Sequence, residues 1–153
     1  MTAFALFKYL HLLLISLWVG GQLFLPLVIL PVLKNSSDRE NIIIKAGIRF
    51  RKVGHVVLAM IIITGLAMYY VKMGSFSTLF QTAYGKTVLT KLILFVLMWL
   101  ANNYHEKYML NAIEKDDFSY KNIKLRAKIS GYVTFLLSLI LVWFGVMLST
   151  GMF

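Results

Sequence analysis

The chain has 153 residues, 59% of them hydrophobic, with sixteen Lys or Arg against six Asp or Glu and a formal net charge of +10. So apolar a composition with so few acids excludes an ordinary soluble domain and indicates an integral membrane protein. There is no cysteine, which excludes disulfides, iron–sulfur ligation, thiolate metal sites and cysteine nucleophiles.

Four apolar runs reach the length of about 20 residues that a bilayer crossing needs, at 4–33, 53–71, 87–104 and 129–152. The expectation is one all-α domain over residues 1–153, a four-helix membrane bundle in a lipid bilayer. Lys34, Arg39, Lys45, Arg49, Arg51 and Lys52 lie between the first two runs, and Lys107, Lys115, Lys121, Lys124, Arg126 and Lys128 between the last two. Only Lys8, Lys72 and Lys86 serve the other side. The positive-inside rule therefore places both basic loops in the cytoplasm and both termini outside, in the inner (plasma) membrane of the cell. The cations flank apolar segments without interleaved aromatics, so they fit an anionic leaflet and not nucleic acid.

Span one reads as a retained helix, its apolar run being too long for a signal peptide. His11 should lie about 10 Å below its outer end at 1.5 Å per residue, on a face shared with Trp18. Pro26 and Pro31 remove backbone hydrogen bonds, so the helix should tilt or bend there. Ser37 followed by Glu40 resembles a capping box, from which a basic helix would run directly into span two. His55, beside Gly54 and just after Arg51 and Lys52, then sits near the inner surface. The segment 74–85 carries Phe76, Leu79, Phe80 and Tyr84 and reads as a short piece lying on the outer interface.

In span three, Lys91 is the conspicuous residue. A charge at the centre of a span costs roughly 2.5 to 3.5 kcal/mol on insertion scales, so it needs a partner or a task. Tyr84, Lys91, Met98 and His105 recur every seven residues and form one stripe; Lys91 falls at the depth of His11, and His105 at the inner end. In span four, Gly131, Ser138 and Gly145 share the same spacing, a narrow face on which another helix can pack closely. No phosphate loop, nucleophile elbow or buried carboxylate pair is present. Glu114, Asp116 and Asp117 read as a solvated loop face.

The stretch 9–27, YLHLLLISLWVGGQLFLPL, resembles the first helix of the CopD family of copper-resistance membrane proteins. The stretches 49–65, RFRKVGHVVLAMIIITG, and 79–92, LFQTAYGKTVLTKL, are similar to that family's basic lead-in with a Thr-Gly ending and to its Tyr-Gly-basic motif. The early His and the span-three Lys also resemble membrane protoporphyrinogen oxidases of the HemJ type, four-helix proteins that bind haem b. That resemblance implies His11 as the haem-associated histidine and Lys91 as an essential lysine. In this reading Trp18, Gly20 and Gly21 shape an apolar slot, and Lys91 pairs with a propionate or approaches the iron. The work would be redox, electron transfer or oxidation linked to quinone, a porphyrinogen-like donor or another respiratory partner. A second copy of the chain is also expected as a partner.

Copper transport is the alternative, because copper(I) favours imidazole and thioether donors. Its route would draw on His11, Met68, Met73 and Met98, with His55 or His105 at the inner mouth. A structural subunit without chemistry of its own is the third reading. Each residue also has a plainer explanation: interfacial placement for His55 and His105, snorkelling for Lys91, and ordinary packing for the methionines.

Overall fold

The computed structural model describes residues 2–114 and 120–151, without the side chains of 40, 44, 101, 102, 104–114 and 120–128. Its elements are α1 (Ala3–Phe24), a π-helical turn (Leu25–Ile29), the single turn α2 (Leu30–Val32), α3 (Arg39–Met73), a 3-10 turn (Ser77–Leu79), α4 (Ala83–Glu114) and α5 (Tyr120–Thr150). No strand occurs among the described residues. Ala3–Val32, Asn41–Met73, Ala83–Leu100 and Ile129–Thr150 are each long and apolar enough to cross a membrane. The all-α fold with four spans agrees with the sequence expectation, and the chain is a multi-pass membrane protein.

Thr2 opens α1 as its N-cap, accepting the Ala5 amide on Oγ1 at 3.3 Å. Pro26 has no amide hydrogen to return to the carbonyl four residues back. The winding widens there, and Leu30 N–H reaches Leu25 O instead. The irregularity expected at Pro26 is therefore a local change of helical pitch.

Ser37 is not the N-cap of α3 as the expected capping box requires, and the Glu40 side chain lies outside the described residues. Asp38 is the N-cap of α3 and makes no side-chain cap bond, while Ser36 Oγ accepts the Asp38 amide at 3.3 Å. With Asp38 at that position the third helical residue is Asn41, not an acid, so the reciprocal half of a box is missing. The other half of the expectation holds. From Arg39 the helix runs through 35 residues to Met73, about 52 Å at 1.5 Å per residue, well beyond a hydrocarbon core of ~30 Å. Gly74 ends it in the left-handed region at φ 71°, donating its N–H to Tyr70 O at 2.8 Å. Phe76 folds back against Tyr69 and Tyr70, with centroids 6.2 and 5.4 Å away.

Thr82 begins α4. Its Oγ1 accepts from the Gly85 amide at 2.9 Å and donates to Thr78 O at 3.0 Å. Gly85 is buried under the 3-10 turn, where a β-carbon would collide with the Thr78 carbonyl oxygen and the Leu79 backbone.

Packing divides the chain into two compact units, Met1–Phe76 and Ser77–Phe153. The first pairs α1 with α3 and the second pairs α4 with α5. Their buried residues include Trp18, Val57, Leu58, Thr64 and Tyr69 in the first, and Phe95, Met98, Thr134 and Ser138 in the second. Large apolar side chains such as Leu17, Ile63, Val96, Leu136 and Trp143 are exposed, the surface a bilayer would cover.

Candidate functional site

Three contacts fix how α1 meets α3. His11 lies at Thr64 and Gly65, Trp18 at Gly54 and Gly21 at Phe50. Numbers rise along one helix as they fall along the other, so the pair is antiparallel.

His11 is half-buried, and its Nδ1 is 2.8 Å from Thr64 Oγ1. Thr64 is itself buried and bonds back to its own helix, at 2.8 Å to Met60 O and 3.1 Å to Ile61 O. Next to it Gly65 offers no side chain, and a β-carbon there would stand 3.1 Å from His11 Cε1. The imidazole is therefore laid on the α3 backbone at the Thr-Gly pair. From sequence that pair is only the ending of a motif, with no role of its own.

Trp18 is buried as its shared face with His11 requires. Its ring stacks on Phe50, with centroids 5.8 Å apart and planes 14° from parallel. A β-carbon on Gly54 would come within 2.7 Å of the indole. Gly21 receives the Phe50 ring in the space its own side chain would fill, whereas Gly20 is exposed with nothing within 4 Å of a β-carbon. Successive helical residues point about 100° apart, so the two glycines face different sides of α1.

His55 is also half-buried on α3, nine residues or about 14 Å of helix from Thr64. Its Nδ1 donates to the Arg51 carbonyl at 2.9 Å, since a carbonyl oxygen only accepts. His11 and His55 thus sit at two levels of one unit, not in one site. Met68 and Met73 are half-buried on the same helix.

In the second unit the seven-residue stripe of α4 faces the seven-residue stripe of α5. Lys91 Nζ is 3.6 Å from where a β-carbon on Gly145 would be. One repeat further, Met98 is 1% exposed and its sulfur accepts from Ser138 Oγ at 3.5 Å, while Ser138 also bonds Thr134 O at 2.8 Å. Span four therefore supplies polar partners for the Met98 level, where its sequence pattern indicates packing alone. Gly131 is exposed, with no described residue within 4 Å of where a β-carbon would be. The His105 side chain lies outside the described residues.

Among the described residues, no three His, Asp or Glu side chains gather into a group that could hold a metal ion. His11 meets the donor requirement of a haem iron. The slot does not fit, because Phe50 fills the space beside Trp18 and Gly21 that a macrocycle would take.

A family model described as copper resistance protein D matches residues 44–150. The chain belongs to the CopD family. An uncharacterized protein of Aquifex aeolicus (strain VF5) is 33% identical over 148 residues, 95% of this chain and 95% of the relative. No solved structure matches the chain. The CopD match takes in α5, which carries no motif specific enough to point to the family from sequence, and begins after α1, whose stretch 9–27 does.

Proposed function

We propose that this CopD-family protein handles copper within the membrane, with copper(I) as its cargo. The observation that carries the reading is the family match over residues 44–150. Donor chemistry supports it: copper(I) favours imidazole and thioether ligands, and a chain with no cysteine, three histidines and eight methionines offers those. His11 is the imidazole ligand of the outer half, oriented by α3. In the first unit Met68 and Met73 are thioether contacts toward the outer end of α3 and His55 receives the ion near its basic end, while Met98 and His105 offer the same donor types in the second unit. With the Lys- and Arg-rich segments in the cytoplasm, His11 lies in the outer half of the inner membrane and His55 near its inner surface.

The test is copper(I) stoichiometry and uptake by proteoliposomes carrying wild type or His11→Ala. Bound copper and flux that both fall in the variant support the reading. A wild type that neither binds copper nor changes its flux overturns it.

A second reading, haem b with a redox role, is favoured by one feature. His11 supplies one imidazole, and a haem needs only one or two protein donors because its ring supplies the rest; the ring would have to sit away from Trp18 and Gly21, where Phe50 fills the space. A reduced-minus-oxidised spectrum decides it: a b-type alpha band lost in His11→Ala establishes haem, and a colourless protein made with ample haem rejects it.

A further inference from the structure

We propose that the face of α3 turned away from α1 binds an anionic phospholipid, its phosphate held by Lys45, Arg49 and Lys52 and an acyl chain lying along Val56, Met60 and Ile63. The site stands independently of the copper reading.

Helical geometry puts these six residues on one side. Counted from Lys45 at about 100° per residue, Arg49, Lys52 and Val56 fall within about 40°, Ile63 returns to the starting direction, and Met60 lies about 60° round. Phe50, Gly54 and Gly65, which meet Gly21, Trp18 and His11 of α1, lie about 140–200° away. All six residues of the stripe are exposed. Arg39, on the same helix, is about 120° off the stripe.

The charges on this face have no acid to meet. No Asp or Glu follows Glu40 in α3. Lys45 and Arg49 stand at i, i+4 and Arg49 and Lys52 at i, i+3, spacings at which like charges repel. A phosphate lodged among them removes that repulsion, and the Arg49 guanidinium can hold two of its oxygens at once.

Depth makes the occupant a lipid. Lys52 and Lys72 bound a run, 53–71, with no Asp, Glu, Lys or Arg. At 1.5 Å per residue the two lysines are about 30 Å apart, the thickness of a hydrocarbon core. Lys52 therefore marks one edge of the core. Arg49 and Lys45 stand about 4 and 10 Å beyond it, through a headgroup layer of about 5–7 Å. On the other side of Lys52 the same face continues as exposed apolar side chains, Val56, Met60 and Ile63. An anionic head joined to an apolar tail matches that sequence of surfaces, whereas a soluble anion would use only the upper part.

The experiment is native mass spectrometry of the protein in neutral detergent, titrated with phosphatidylglycerol or with phosphatidylcholine of the same chains. Wild type should bind one phosphatidylglycerol more tightly than phosphatidylcholine. Arg49→Gln with Lys52→Gln should weaken that binding roughly 30-fold, taking the usual worth of two cations at a membrane surface. Lys34→Gln with Arg39→Gln removes the same charge off the stripe and should leave it unchanged. Equal affinity of wild type for the two lipids overturns the proposal without any variant having to fold. Equal weakening in the two double variants, each melting as wild type does without lipid, reduces the effect to diffuse attraction and overturns it too. So does displacement of the lipid by glycerol phosphate at comparable concentration, which would make this a site for a soluble anion.

Discussion

Lys91 Nζ and Gly145 meet across the seam between α4 and α5, with 3.6 Å between the amine and the point where a β-carbon would be. That spacing is ordinary van der Waals contact, so Gly145→Ala should be accepted. Gly145→Leu puts a branched side chain where the amine lies, and overpacking of this kind costs about 1–3 kcal/mol. Thermal unfolding in detergent should rank the three proteins wild type, Ala, Leu, with the large step at Leu.

Lys91→Leu separates fold from function. Removing an intramembrane charge should leave the melting temperature unchanged or raise it, by an amount bounded by the roughly 2.5 to 3.5 kcal/mol such a charge costs on insertion scales. A matching loss of copper flux would give the lysine a task; unchanged flux would reduce it to a tolerated residue.

Met98 allows the thioether to be tested apart from the volume it fills. Met98→Ala opens a cavity in the tightest part of the second unit and should cost about 2–5 kcal/mol. Met98→Leu keeps the volume, so its stability should stay within about 1.5 kcal/mol of wild type. On the copper reading, flux through Met98→Leu falls although the protein unfolds at its usual temperature. Equal flux in the two would leave Met98 as packing.

Glycine scanning should divide sharply by neighbour. Gly54→Ala forces the Trp18 indole aside from a 2.7 Å contact and should both destabilise the protein, by about 1–3 kcal/mol, and shift tryptophan emission. Gly85→Ala meets backbone that cannot swing away and should cost at least as much. Gly20→Ala meets nothing and should be neutral or slightly stabilising, since alanine is favoured over glycine by about 1 kcal/mol within helices.

The spans are legible in the sequence because apolar length is a one-dimensional property, and Pro26 announces its irregular turn through the missing donor. The start of α3 is harder. Asp38 takes the cap position although Ser37 has the better spacing to an acid, and the Ser36 hydroxyl takes the Asp38 amide. Facing is harder still: a rotation of ~50° moves a residue from a helix contact to lipid. Helical spacing puts His11 and Trp18 on one face correctly, but offers no means of choosing Thr64 and Gly65 as the partners of one and Gly54 and Phe50 as those of the other. A Thr-Gly pair inside an apolar helix, opposite a span with a lone histidine, is the available signal. The matched seven-residue repeats of α4 and α5 are visible separately, and pairing them requires knowing that the two helices run antiparallel.

The absence of any break in α3 has a mechanical consequence. Arg39 and Thr64 belong to one rod, and Trp18 bears on Gly54 between them. A tilt of about 5° there would sweep the Arg39 end through ~2 Å and Thr64 through ~1 Å the opposite way, taking 1.5 Å of rise per residue. Thr64 is hydrogen-bonded to His11, so any such tilt would be felt at the imidazole as leverage, with no intervening joint to absorb it.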